Sequence, residues 1–162
     1  MLIVARYLHQ ISFSGLMEVY IEGNLEKARD DFSDLPEYMG LQRTEQDFYQ
    51  YLRECFFATP GAVYAIWEEQ GKYVSAVRWE PFADGVLISA LETAPECRGK
   101  GCATMLLEHV LAMLEGPVYS HVGKRNNPSL AVHRKCGFEI IGDRARYLDG
   151  SVNSAAYTLC RK

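Results

Sequence analysis

Between Thr93 and Thr104 the chain reads Thr-Ala-Pro-Glu-Cys-Arg-Gly-Lys-Gly-Cys-Ala-Thr. A strand-like run ends there, a basic turn with two glycines follows, and a helix begins. The start of a helix carries unpaired N–H groups and a partial positive charge. Glycines let an anion reach the backbone, and Arg98 and Lys100 add charge, so the segment suits a pyrophosphate. It is not a GxxxxGK[ST] loop, and the GxGxxG pattern fails after Gly101. The same pattern also serves as a plain structural turn. Cys97 and Cys102 flank it, and a thiol beside Arg98 or a helix start is a candidate nucleophile. No Cys–His–Asp constellation accompanies them, which argues against covalent catalysis.

The elements that must position this turn follow from periodicity. Residues 2–8 read as a strand, and a helix begins near Ser14, interrupted at Gly23-Asn24. From Glu26 to Glu37 a charged stretch ending in Leu35-Pro36 reads as a loop or a mobile helix pair. Thr44, as N-cap with Asp47 at N3, starts a helix bearing Phe48, Tyr51, Leu52, Cys55 and Phe56, closed by Pro60-Gly61. Runs 63–69, 73–80 and 86–93 are strands, joined by turns at Gln70-Gly71 and Asp84-Gly85, so they pair antiparallel. Residues 101–115 are a helix with Leu106, Leu107, Val110, Leu111 and Leu114 on one face. Residues 117–122 form a strand. A short helix spans 128–136, with Asn127 as N-cap, Pro128 at N1 and Gly137 at C′. Residues 138–148 and 155–159 close the chain as a pair of strands. The order is β-α-α-β-β-β-α-β-α-β-β, an α+β (mixed α/β) domain over residues 1–162 with no dividing linker.

Composition sets the outer limits. The chain has 162 residues, 48% of them hydrophobic and 23% charged, with net charge −4. This length needs no disulfide or metal staple, and the acidic balance disfavours nucleic-acid binding. Residues 1–81 hold 7 basic and 13 acidic residues and carry −6, whereas residues 82–162 hold 10 and 8 and carry +2. The basic half suits an anion and the acidic half an amine. Arg6 breaks the apolar N-terminus, and no run approaches a membrane span. Five scattered cysteines without a CxxC pair or a Cys/His zinc pattern read as reduced thiols in a cytoplasmic protein, with no metal site.

Two motifs carry a resemblance. Arg98-x-x-Gly101-x-Ala103, preceded by Pro-Glu, resembles the acyl-CoA loop of the GCN5-related N-acetyltransferase (GNAT) superfamily. Asn126 to Phe138 (Asn-Asn-Pro-Ser-Leu-Ala-Val-His-Arg-Lys-Cys-Gly-Phe) resembles that family's second signature. Counting back from Gly137-Phe138, the family's Asn falls on Asn126 and its Tyr on His133. The likeness covers roughly residues 62–160. It implies a mostly antiparallel mixed sheet of about seven strands flanked by about four helices, and acetyl-CoA as co-substrate.

The resemblance also implies roles. The N–H groups of Arg98, Gly99, Lys100, Gly101, Cys102 and Ala103 bind the CoA pyrophosphate. The backbone of Leu91 and Thr93 pairs with the pantetheine arm, and Asn126 bonds that arm near the splay between the fourth and fifth strands. N-acetyl transfer needs a neutral amine, a polarised carbonyl and an acid for the thiolate. His133 stands where the family's acid stands. His121 and Glu92 are the candidate bases, and the facing of Glu92 depends on whether a bulge intervenes. The acceptor is a primary amine of a small molecule or peptide. The aromatics of the helix after Thr44 wall its site or serve as core, and the acidic run Asp30 to Glu37 steers a cation or is simply solvated. The C-terminal strands often pair subunits in this family, which leaves a homodimer open. The rival reading is a catalytically silent acyl-CoA sensor or interaction module with the same fold.

Overall fold

Alternating residues in the middle of the chain build the central sheet of the computed structural model, which describes all 162 residues. Strands β2 (Val63–Glu69), β3 (Lys72–Phe82) and β4 (Gly85–Thr93) run antiparallel through tight turns. Strand β1 (Leu2–Ala5) pairs with β2. On the other side stand β5 (Val118–Gly123), β6 (Glu139–Gly142) and β9 (Ala156–Arg161). The seven strands lie in the order β1-β2-β3-β4-β5-β9-β6. A separate two-residue ladder joins β7 (Ala145–Arg146) to β8 (Val152–Asn153). This is the expected mostly antiparallel mixed sheet.

Five helices cover it: α1 (Phe13–Val19), α2 (Ile21–Asp31), α3 (Glu37–Tyr51), α4 (Cys102–Met113) and α5 (Asn127–Lys135). A π-helical turn, Leu52–Phe56, extends α3. Each face of the sheet has its own apolar layer. On one side Val63, Ala65, Val77, Trp79 and Ile88 pack with Leu106, Leu107, Val110 and Leu111 of α4. On the other side Tyr64, Ile66 and Ala76 pack with Leu16 and Val19 of α1 and with Leu52 and Phe56. Both layers follow from the period-2 alternation of β2 and β3 and the 3.6-residue stripe of α4.

Local signals misplace four features. The break in the first helical region falls at Tyr20 rather than Gly23-Asn24, because Asn24 is buried inside α2. Helix α3 starts at Glu37, directly after Pro36, and not at Thr44. Thr44 is buried in mid-helix and its hydroxyl donates to the Gly40 carbonyl at 2.9 Å, satisfying the group that would otherwise serve as a cap. The cap of α5 is Asn126 rather than Asn127, its Oδ1 accepting from the Ser129 N–H at 3.2 Å. The final stretch 138–148 is broken after Gly142, where the chain leaves β6 for the small hairpin.

The one parallel pairing is short. Strands β4 and β5 are joined only over Val86–Ile88 and Val118–Ser120, and beyond Ile88 they diverge. At the closed end of this fork the strands come so near that a Cβ on Gly85 would lie 1.9 Å from the Pro117 carbonyl oxygen. No helix is long and apolar enough to cross a membrane. All five cysteines are free thiols.

Candidate functional site

The open end of the fork is shaped by one extra residue. Arg78 of β3 faces Ser89 and Ala76 faces Glu92, so β4 spends three steps where β3 spends two. Ala90 absorbs the excess at φ 55°, a left-handed conformation unusual for a residue with a side chain. The bulge decides which way the following residues face. Leu91 turns toward α4, while Ala90 packs against the α1–α3 layer. Glu92 sits opposite Ala76 and so faces α1–α3, resolving the orientation that alternation alone left open. The Tyr20 hydroxyl donates to the Ala90 carbonyl at 2.6 Å, and the Tyr64 hydroxyl donates to Tyr20 at 2.7 Å. Two buried phenols thus hold the bulge in place.

Past the fork β4 has a free edge. The Glu92 carbonyl accepts from the Ser75 hydroxyl at 2.8 Å, and the Ala94 N–H donates to the Val74 carbonyl at 2.8 Å, both on the β3 side. Backbone groups alternate sides along a strand, so those of Leu91 and Thr93 turn toward the gap that β5 has vacated. This edge can take an extended, amide-bearing ligand as an added strand.

A cleft of about 450 Å³ runs from this edge to the basic turn. Leu91, Glu92 and Thr93 line it on one side, and Arg98, Gly99, Gly101, Cys102, Ala103 and Thr104 at its head. Gly99 and Gly101 have φ 74° and 77°, and a Cβ at either would meet nothing within 4 Å. Gly101 is the N-cap of α4 and no side chain caps that helix. The first N–H groups of α4 therefore point unpaired into the head of the cleft, where a phosphate would find donors and the positive end of the dipole. Asn126, Ser129 and Val132 form the opposite wall. Because Asn126 spends its Oδ1 on the α5 cap, its amide NH₂ is left for a ligand. Lys100 is exposed and outside the lining. Burial pushes the Cys102 thiol pKa up, so the helix start does not produce a thiolate there.

A smaller pocket of about 180 Å³ sits in the fork itself, lined by Ser89, Ala90, Ser120, His121, Asn126 and His133 among others. The two histidines approach it from opposite faces. His133 on α5 is buried, 2% exposed. Its Nδ1 donates to the Ser129 carbonyl at 2.7 Å, and its Nε2 lies 2.8 Å from the Ser120 hydroxyl, which donates to a neutral ring and accepts from a protonated one. Burial lowers the His133 pKa and so favours the neutral ring, an effect the Ser129 bond partly offsets. His121 on β5 faces the α1–α3 side between the rings of Phe82 and Tyr147, at centroid distances of 5.7 and 4.7 Å. Its Nε2 is buried with no hydrogen-bond partner, and desolvation lowers its pKa.

Glu92 completes the group. Its Oε1 accepts from Arg98 Nη2 at 3.1 Å, and Arg98 also pairs with Glu22 of α2. Burial raises the Glu92 pKa and the Arg98 charge partly offsets that rise. The Glu22 and Glu92 carboxylates raise the pKa of Arg98 further. No cluster of three or more His, Cys, Asp or Glu is placed to hold a metal.

The residues singled out from sequence thus fall around one continuous feature, the basic turn, the β4 edge and the fork, with Lys100 at its margin. Tyr20, Tyr64, Ser120, Phe82 and Tyr147 also shape the fork and were missed. They come from distant segments with no motif of their own, and only the fold brings them together.

Comparisons with known proteins agree with this architecture. No curated protein matches the chain by sequence. The PaiA N-acetyltransferase of Thermoplasma acidophilum, solved in complex with coenzyme A, superposes with TM-score 0.64 at 12% identity, over 100% of this chain and 99% of its own. The ribosomal-protein-S18-alanine N-acetyltransferase of Escherichia coli gives 0.62 at 15% identity, over 99% and 93%. Escherichia coli ElaA gives 0.58 at 13%, over 100% and 99%. At such identities these are similarities of fold alone. The model of the acetyltransferase (GNAT) family matches residues 25–138, from within α2 through the turn, α4 and α5 to Phe138. The match takes in most of the chain and all of the cleft, and the chain belongs to the acetyltransferase (GNAT) family.

Proposed function

We propose that the protein is an acetyl-CoA-dependent N-acetyltransferase that passes the acetyl group directly to a primary amine. The observation that carries this reading is the single cleft joining an uncapped helix start, a glycine turn and a strand edge that has no partner strand. A pyrophosphate, an amide-bearing arm and a thioester can occupy those three parts in that order. The N–H groups from Arg98 to Ala103 hold the pyrophosphate. Leu91 and Thr93 bond the pantetheine amides, with the Asn126 amide beside them. The thioester then lies in the fork beside Ala90.

In the transfer, the amine nitrogen attacks the thioester carbonyl carbon, the C–S bond breaks, and the proton shed by the nitrogen ends on the sulfur. His121 is proposed as the base. It is neutral near pH 7, its Nε2 is unengaged, and it borders the fork on the face opposite α4 and α5. Glu92 stands on the same face, though its ion pair with Arg98 weakens it as a base. The acid role expected of His133 would need an imidazolium, which burial disfavours and the Ser129 carbonyl bond only partly restores. In this reading His133 positions α5 against β5, and the proton returns to the thiolate through His121 or water. The acceptor amine enters from the α1–α3 side, where the acidic half of the chain lies.

Calorimetric titration with acetyl-CoA and with free CoA tests the cofactor. Micromolar affinity is expected, followed by thiol release on addition of acceptor amines. Absence of binding to either ligand overturns the reading. Binding without thiol release from any amine favours the sensor alternative.

A further inference from the structure

The α1–α3 face holds a cation without a counter-ion. Arg78 of β3 is half-buried, and it belongs to none of the seven ion pairs of the molecule. Its guanidinium carbon lies 5.1 Å from the Tyr51 ring, 5.5 Å from Phe56, 5.8 Å from Phe48 and 5.9 Å from Tyr64. Four rings line it and no carboxylate meets it. Stacking offsets part of the cost of taking a cation out of water, yet it leaves the forked N–H donors without an anion. The π-helical turn Leu52–Phe56 sets Phe56 on the guanidinium, and such turns recur at functional sites.

Position adds meaning. Arg78 faces Ser89 directly across β3 and β4. It is therefore one strand, about 5 Å of sheet, from the residue that precedes the Ala90 bulge. The phenols of Tyr64 and Tyr20 run from beside Arg78 to the Ala90 carbonyl. The only carboxylate bordering the nearby cleft on this face, Glu92, is already claimed by Arg98.

We propose that Arg78 is the anion-recognising residue of the acceptor site and that the acceptor is a small amine carrying a carboxylate. This inference rests on the acetyltransferase reading above. One guanidinium in an aromatic frame matches one planar monoanion, bonded bidentately. The short distance from Arg78 to the bulge fits an amino-acid-sized acceptor, its amine at the fork and its carboxylate under α3.

Conjugates in which the CoA sulfur carries a –CH₂–CO– bridge amide-linked to glycine, β-alanine or 4-aminobutanoate test this by calorimetry. Each is compared with the matching primary amide, which lacks the negative charge. At least one carboxylate conjugate is expected to bind ten-fold or more tighter than its amide, and R78Q is expected to erase that preference. Retained affinity for acetyl-CoA shows that R78Q is folded. Should R78Q lose it, R78K takes its place, with the preference cut at least three-fold. Three outcomes overturn the proposal while leaving the cofactor reading intact: ratios within two-fold for all three pairs, a preference that survives the substitution, or acetyl-CoA binding without binding of any conjugate. Failure of both acetyl-CoA and every conjugate to bind defeats the cofactor reading, and this inference with it.

Discussion

Placing a single negative charge at Gly101 isolates the chemistry of the cleft head. Gly101 caps α4 at φ 77°, and a Cβ there meets no atom within 4 Å. Asp and Asn are the side chains that tolerate this conformation best, at a strain of at most about 1–2 kcal/mol. For a chain of this size that lowers the melting temperature by about 2–8 °C, equally for G101D and G101N. Ligand binding separates the two. A carboxylate about 4 Å from a phosphate charge, at an effective dielectric near 20, is repelled by about 4 kcal/mol. That weakens acetyl-CoA binding by about 10³-fold. Asn brings nearly the same volume and strain without charge, so G101N loses no more than about ten-fold by the same arithmetic. The assay is calorimetry on wild type, G101D and G101N at two salt concentrations, beside thermal melts. The gap between the variants narrows as salt rises, because the loop is exposed to solvent. Equal losses in G101D and G101N, or full affinity in G101D, would refute the claim that the α4 N-terminus holds an anion.

Three further expectations concern other parts of the molecule. Desolvation holds the His121 pKa below its ordinary 6.5, so kcat/KM is level above that pH and falls as the ring protonates below it. H121Q should remove that limb and lower kcat/KM about 10²-fold, whereas loss of the limb in E92Q alone would move the base to Glu92. His133 also has a lowered pKa in the folded state, so the native state favours the neutral ring. Its stabilisation is complete above about pH 6.5, where the unfolded chain is neutral too. It is lost as pH falls from there through the depressed folded value. Urea denaturation between pH 5 and 7.5 should show this slope, and H133Q should flatten it. G85A drives a methyl group into the Pro117 carbonyl at the closed end of the fork. A loss of at least about 4 kcal/mol, or failure to fold, is expected, and an unchanged urea midpoint would contradict the tight join of β4 to β5.

Local chemistry carried much of the architecture. The strands at 63–69, 73–80 and 86–93 and the helix at 101–115 were legible because alternation and the 3.6-residue period persist over many residues, with turn residues between them. The basic turn was legible because its two glycines, Arg98 and Lys100 are nearly contiguous in the chain. Helix α3 was misread at its start because Thr44 looks like a cap, and only burial shows its hydroxyl turned back onto Gly40. Two features of the site belong to the tertiary structure. The facing of Glu92 depends on the bulge at Ala90, a position with no sequence signal, held by phenols 70 and 26 residues away. The surroundings of His133 depend on burial and on Ser120 and Ser129, which bond both of its ring nitrogens. The sequence by itself determined the family, the sheet and the basic glycine turn, since these rest on contiguous motifs and on the period of apolar residues. The surroundings of His121, His133 and Arg78 were decided only in three dimensions. A pKa and an unpaired charge depend on what surrounds a group, and those surroundings come from strands and helices far apart along the chain.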